Sequence, residues 1–340
     1  MYTKDNCLLI FGMVKLYESF EYGVFRQLLT LLIIAAIICI VMTKRLLITE
    51  SVYKIMINFF RKKNEIEKPN PSSKLKTISP EFKTVSPQRA GLSFEVANLQ
   101  GMGKREYQED AFCVANVFDE EKLKKQGLLF AVCDGMGGLN AGSNAANMAI
   151  EIIRSRFFEM NPQEDISKYL RESLEIASLK INEQYQEKSG TTGIVGVIFD
   201  GKLHFASVGD SYLCLLRNNV AIRLNRPHNL QNKIYDECIA NDEWNPFLAR
   251  NNVEKDALTN FLGTAHLADI DSTVKPIELL PKDVILVCSD GAAAFADENE
   301  LRDILIPTDA MESSRRIENK IKELNNPNQD NYTAIVICAR

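Results

Sequence analysis

Residues 189–219 read SGTTGIVGVIFDGKLHFASVGDSYLCLLRNN, and this stretch decides the fold class. Three apolar runs, at 193–199, 202–208 and 212–217, are rich in Val, Ile, Leu and Phe and are too short for helices. Gly201-Lys202 lies between the first two, and Asn218-Asn219 follows the third, where hairpin turns join neighbouring strands. Similar runs recur outward at 94–98, 111–117, 128–133, 271–278, 284–289 and 333–338. Long helical patterns fill 140–159 and 165–188, and shorter ones 229–240, 297–305 and 310–325. Helices grouped between hairpin-connected strands predict α+β architecture with antiparallel sheets and helices packed outside, rather than alternating βαβ units.

The region before residue 93 has a different character. Residues 27–43, QLLTLLIIAAIICIVMT, carry no charge and stand between Arg26 and Lys44. A spanning helix takes about 17–25 apolar residues, so the run is read as a transmembrane helix after an N-terminal segment, 1–26. Lys44, Arg45, Lys54, Arg61, Lys62 and Lys63 follow it, and this excess of basic residues places the C-terminal side in the cytoplasm. The expectation is a single-pass protein of the inner membrane. Residues 44–63 read as a basic amphipathic segment on the inner surface, and the Pro- and Ser-containing stretch 64–92 as a flexible linker. Residues 93–340 form the folded domain.

The formal net charge is −5, which gives no support for nucleic acid as a partner. Eight cysteines occur without a CxxC pair, and Cys113, Cys133, Cys214, Cys288 and Cys338 sit inside apolar runs. They read as buried thiols in a reducing compartment. His204, His228 and His266 are too scattered for a zinc site.

Five aspartates stand at the boundaries of apolar runs. Asp110, beside Glu109, precedes AFCVANV; Asp134 follows LLFAVC and leads into GMGG; Asp210 ends FASVGD. Asp290 ends VILVCSD, and Asp330 precedes NYTAIVIC. Any one of them is accounted for as a turn residue. Several converging in one fold would repel each other unless a cation held them, and an all-oxygen donor set suits Mg²⁺ or Mn²⁺.

These motifs carry a family resemblance. From about residue 95 to the end, REYQEDA, VCDGMGG, SGTTGIVGVI, FASVGDSYLCLLRN, FLGT, LVCSDG and QDNYTAIVI occur in the order found in type-2C metal-dependent protein phosphatases, with DGMGG resembling the bacterial branch. The resemblance implies a four-layer sandwich of two antiparallel β-sheets flanked by α-helices, with two metals at one edge. It implies hydrolysis of phosphoserine and phosphothreonine by a water bridging two Mn²⁺ or Mg²⁺ ions. Asp134 is similar to the carboxylate that bridges both ions, with the Gly135 carbonyl as a further ligand. Asp290 and Asp330 match ligands of one ion, Glu109 and Asp110 match the family's acidic pair, and Arg105 matches the arginine that grips the phosphate. Partners would be phosphorylated proteins, including a membrane serine/threonine kinase or its targets.

Two departures accompany the match. Asp210 resembles a ligand of a third metal, but the position four residues after Asp290 is Ala294, so a third ion lacks one of its usual carboxylates. Met136 stands where a histidine general acid would sit, leaving a water or His228 for that task, and His228 reads as a surface residue. Residues 225–262 correspond to the family's variable flap and are expected to shape substrate choice. A membrane-tethered pseudophosphatase, binding phosphoproteins without turnover, is the competing reading, and Ala294 is its one argument.

Overall fold

The structure, a computed structural model, describes residues 92–137, 141–293, 298–305 and 309–340. The elements run in chain order as β1 (Phe94–Gly101), β2 (Asp110–Ala115), α1 (Glu120–Gln126), β3 (Leu128–Met136), α2 (Ala141–Glu159) and α3 (Ile166–Tyr185). Next come β4 (Gly190–Thr191), β5 (Gly193–Phe199), β6 (Lys202–Val208), β7 (Tyr212–Arg217), β8 (Val220–Arg223), α4 (Leu230–Ala240) and α5 (Pro246–Arg250). The chain closes with β9 (Asp271–Ser272), β10 (Ile277–Glu278), β11 (Val284–Cys288), α6 (Asp290–Ala293), α7 (Glu298–Leu305), α8 (Ala310–Leu324) and β12 (Tyr332–Ala339).

Two antiparallel sheets result. One has the order β1-β12-β11-β7-β8, so the first and last strands pair. The other has the order β10-β6-β5-β3-β2, with β4 paired to β3 and β9 to β6. The β5–β6 hairpin turns at Asp200 and Gly201, both at positive φ (47° and 70°), and β7–β8 turns at Asn218 and Asn219 (50° and 62°). Asp-Gly and Asn-Asn tolerate this left-handed backbone, which matches the twist of the strands they join. The first turn lies one residue earlier than Gly201-Lys202, because Lys202 already pairs with Phe199.

Alternation along β3 builds the layers. Leu128, Phe130 and Val132 face the other sheet and pack with Leu213, Leu215, Ile285, Val287, Ile335 and Ile337. Leu129, Ala131 and Cys133 face the opposite way, onto α2 and α3 through Ala146, Ile153, Leu174 and Ile181. A strand buried on both faces reads as a continuous apolar run, as LLFAVC does. A third core sits between the first sheet and α7 and α8, where Leu301, Leu305, Ile317 and Ile321 meet Leu286 and Val336. The layers are therefore helix, sheet, sheet, helix.

Some boundaries differ from expectation. The run 271–278 is not one strand but two short ones, β9 and β10, since Pro276 cannot donate to a ladder. Helix α3 stops at Tyr185, where Gln186 and Glu187 turn left-handed. The expected spanning helix at 27–43, the segment 44–63 and nearly all of the linker fall outside the described residues. Among the described residues no helix is long and apolar enough to cross a membrane.

Candidate active site

In the β2–β3 ladder Asp110 lies directly opposite Asp134, so two carboxylates share one rung. Like charges so placed are destabilising. Asp110 is buried; its Oδ2 accepts from the Ser289 hydroxyl at 2.8 Å, while its Oδ1 has no partner. Asp134 is held by its backbone: its N–H donates to Thr192 Oγ1 at 3.0 Å, and its carbonyl accepts from Thr191 Oγ1 and the Thr192 N–H, each at 2.8 Å. That leaves the Asp134 carboxylate free to face its neighbours, and the Asp290 carboxylate is within hydrogen-bonding reach.

Asp290 is the first residue of α6 rather than the end of a strand, and Asp134 lies inside β3. Gly135 follows Asp134 where no side chain fits, since a Cβ there would lie 2.3 Å from the Gly142 carbonyl oxygen and 2.6 Å from that of Glu109. The crowding brings the start of α2, the loop before β2 and the end of β3 together. Arg105 donates to Asp330 Oδ2 at 2.6 Å; both side chains are substantially exposed, so the pair stands at the rim. Asp210 follows Gly209 at the end of β6, where it senses Asp290 and is itself felt at Asp134.

The proton affinities carry the imprint of this crowding. Burial, reinforced by Asp290 and Asp330, pushes the Asp110 carboxyl up to about 6 against the hydrogen bonds from Thr333 and Ser289. Burial and then Asp290 push Asp210 up to about 6. Burial, Asp110 and Asp290 hold Asp134 well above the ordinary carboxylate range. Asp290 is raised by burial and Asp330, with its Asp134 hydrogen bond opposing, and Glu109 is raised by burial with Arg105 opposing.

Among the described residues no three acidic, imidazole or thiol groups close around a single point; the carboxylates meet in pairs. Mg²⁺ and Mn²⁺ need no closed protein cage, because such ions keep several waters and take one or two carboxylates each. The orphaned Asp110 Oδ1 and the unneutralised Asp110–Asp134 rung are what a bound divalent cation would satisfy. The donor set fits.

Residues absent from the sequence reading hold this cluster in place. Asn331 accepts from the Glu109 N–H at 2.8 Å and donates to the carbonyls of Met102 and Tyr107 at 3.0 Å, fastening the Arg105 loop to the Asp330 turn. Ser289 donates to Asp110 and accepts from the Thr333 N–H, bridging the two sheets. Asn331→Ala leaves those groups unpaired, so KM should rise about tenfold and stability fall by about 2 kcal/mol, read by kinetics and urea unfolding. Unchanged kinetics in a destabilised variant would mean that the loop holds Arg105 without Asn331.

His228 is buried, not on the surface. Its Nδ1 accepts from the Gly209 N–H at 3.0 Å, and its Nε2 lies 4.0 Å from Asp269. Burial lowers its proton affinity, so it serves as a neutral prop beneath the Asp210 turn. Ala294 lies outside the described residues.

The protein phosphatase 2C model matches residues 95–234. The serine/threonine phosphatase stp of Listeria welshimeri is 30% identical over 182 residues, covering 51% of this chain and 70% of the relative. This chain belongs to the protein phosphatase 2C family. It is therefore a metal-dependent protein phosphatase. The S. agalactiae serine/threonine phosphatase has the same fold, with a TM-score of 0.61 at 24% identity over 72% of this chain and 99% of that one. The catalytic domain of the phosphatase PstP, solved in complex with two manganese ions, superposes with a TM-score of 0.56 at 22% identity, over 73% and 99% of the two chains.

Proposed function

We propose that this protein phosphatase 2C member hydrolyses phosphoserine and phosphothreonine in proteins at the inner face of a membrane, to which residues 27–43 tether it. Asp134, the Gly135 carbonyl, Asp290, Asp330, Glu109 and Asp110 would hold two divalent cations, Mn²⁺ or Mg²⁺. The observation that carries this reading is the Asp110–Asp134 rung, in which Asp110 is buried with one carboxylate oxygen unpartnered. When bound, such ions lower the pKa of water and supply a nucleophile at neutral pH.

The chain's own residues do the rest. Arg105 is half-exposed at the rim and presents a planar guanidinium, which suits two oxygens of a phosphoryl group. Asp330, its present partner, sets where that guanidinium points. The Thr191 and Thr192 contacts fix the Asp134 backbone and so aim its carboxylate. Asp210 joins the same cluster and is a candidate for a further ion. The basic residues after position 43 support a cytoplasmic catalytic domain, and the apolar run itself supports the anchor.

The test is hydrolysis of a phosphothreonine peptide by the detergent-solubilised full chain with Mn²⁺, with Mg²⁺ and with chelator. Turnover that requires metal and falls about 100-fold in Arg105→Ala is expected. Binding of the peptide without turnover under any metal condition would favour the pseudophosphatase instead.

A further inference from the structure

Helix α4 has no buried residue and α5 has one, Ala249. Between positions 239 and 253 the structure exposes Ile239, Trp244 (61%), Phe247 (72%), Leu248 and Val253 (99%). Single exposed apolar residues are ordinary, but five large ones within fifteen positions, on and beside two helices that pack on each other, are a concentration of the kind that marks contact sites. The segment is held by contacts of its own. Trp244 stacks on Tyr235 with ring centroids 5.8 Å apart, and Tyr235 Oη accepts from Gln231 at 2.9 Å and Arg250 at 3.3 Å. Asn229 caps α4, and Leu230 and Gln231 donate backbone N–H groups to the carbonyls of Ala257 and Lys255.

Both ends of this segment are rooted at the acidic cluster. On entry, the His228 N–H donates to the Gly209 carbonyl while His228 Nδ1 accepts from the Gly209 N–H, one residue from Asp210. On exit, Leu262 pairs with Thr191, whose strand β4 runs beside Gly135 and Met136. The charge of Asp256, in the returning arm, is felt at Asp210.

The charge around the patch is predominantly negative. Glu237, Asp242, Glu243 and Glu254 are exposed and form no ion pair among the described residues. Between positions 233 and 256, six carboxylates stand against three cationic side chains.

We propose that this acid-rimmed apolar face is a docking surface for the substrate polypeptide, and that it selects phosphoproteins with an apolar side chain and basic residues flanking the phosphorylated position. The inference rests on the phosphatase reading above. An aromatic anchor gives the affinity, and the acidic rim gives specificity and speed of encounter. The rim also argues against a bilayer as occupant, because the anionic inner leaflet attracts basic segments and repels acidic ones.

Trp244 is the single tryptophan of the chain, so its emission reports occupancy of the patch directly. The experiment titrates the solubilised full chain with two phosphothreonine peptides of equal length, one with Leu, Phe and Arg flanks and one with Gly and Ser flanks. Hydrolysis of both is measured beside p-nitrophenyl phosphate, which carries no flanking residues. The expected result is a Trp244 emission shift with the first peptide only. In Phe247→Ala with Leu248→Ala, KM for that peptide should rise about tenfold while the other two substrates are unaffected. Glu243→Lys should raise the same KM and leave the Gly/Ser peptide alone.

Turnover of p-nitrophenyl phosphate without any peptide-dependent emission shift would overturn the docking surface while leaving the phosphatase standing. An emission shift without turnover of any substrate would do the reverse. Equal losses on all three substrates, a shift produced by anionic vesicles, or a change of oligomeric state in the variant would also overturn the proposal.

Discussion

Asp134→Asn is expected to lower metal-dependent turnover of a phosphothreonine peptide on the order of 10³-fold while the domain stays folded. Residues that merely support metal ligands commonly change affinity or activity by 10–100-fold, and Asp134 is read as a ligand of both ions, so a larger loss follows. The fold should survive for a local reason. The hydrogen bonds that fix residue 134 run through its backbone N–H and carbonyl to Thr191 and Thr192, and the substitution leaves them in place. Its side chain changes from a carboxylate repelled by Asp110 and Asp290 to an amide that can donate to either. Metal-free Asp134→Asn should therefore be at least as stable as the unaltered chain. Circular dichroism with thermal unfolding, read beside kinetics in Mn²⁺, checks both halves. Retained Mn²⁺-dependent turnover would remove Asp134 from the centre of the mechanism.

The residues that build this site differ in how far the sequence reveals them. Strands β3, β5, β6 and β7 were legible because each is a short apolar run bounded by turn residues, and β3 is continuous because it is buried on both faces. Helix α1 was not, since it fully buries no residue, packs only Leu123 on the core, and depends on an Asp119 cap and its own charges. Strand β8 has four residues with one buried, too few for an alternating pattern to register. The carboxylates were visible individually, yet that Asp110 and Asp134 occupy one rung depends on the register across α1, which no local pattern encodes. Ser289 and Asn331 are illegible for the same reason: a serine after a strand and an asparagine before one are ordinary turn residues until long-range partners are known. His228 looked like a surface histidine because its flanks, Arg226, Pro227 and Asn229, are polar or turn-forming. Only the return of that segment to Gly209 buries it.

Lowering the pH should stabilise the metal-free domain relative to an Asp110→Asn variant, and adding metal should reverse their order. An ordinary aspartate titrates near 4 in the unfolded chain, whereas Asp110 and Asp210 are pushed up to about 6 by burial and by neighbouring carboxylates. Between those values the folded state binds more protons than the unfolded one, so their contribution to stability falls as pH rises. The destabilisation is complete above about pH 6 and absent below about pH 4, and for Asp110 the shift corresponds to about 3 kcal/mol. Asp110→Asn removes it. Its amide oxygen can still accept from Ser289, and its NH₂ takes the place of the oxygen that now lacks a partner and can donate towards Asp134. At pH 7 in chelator the variant should be the more stable of the two, and the difference should vanish near pH 4. Millimolar Mn²⁺ should then stabilise the unaltered chain by the linkage of a ligand that binds only the folded state, and do so less for the variant, which lacks one carboxylate of the pair. Because protons and cations compete for the same oxygens, the Mn²⁺ effect on the unaltered chain should fade as pH drops through about 6. Urea unfolding across pH 4–8, with and without Mn²⁺, reads all of these together. A variant less stable than the unaltered chain in chelator at pH 7 would show that Asp110 is held by Ser289 and Thr333 strongly enough to need no cation.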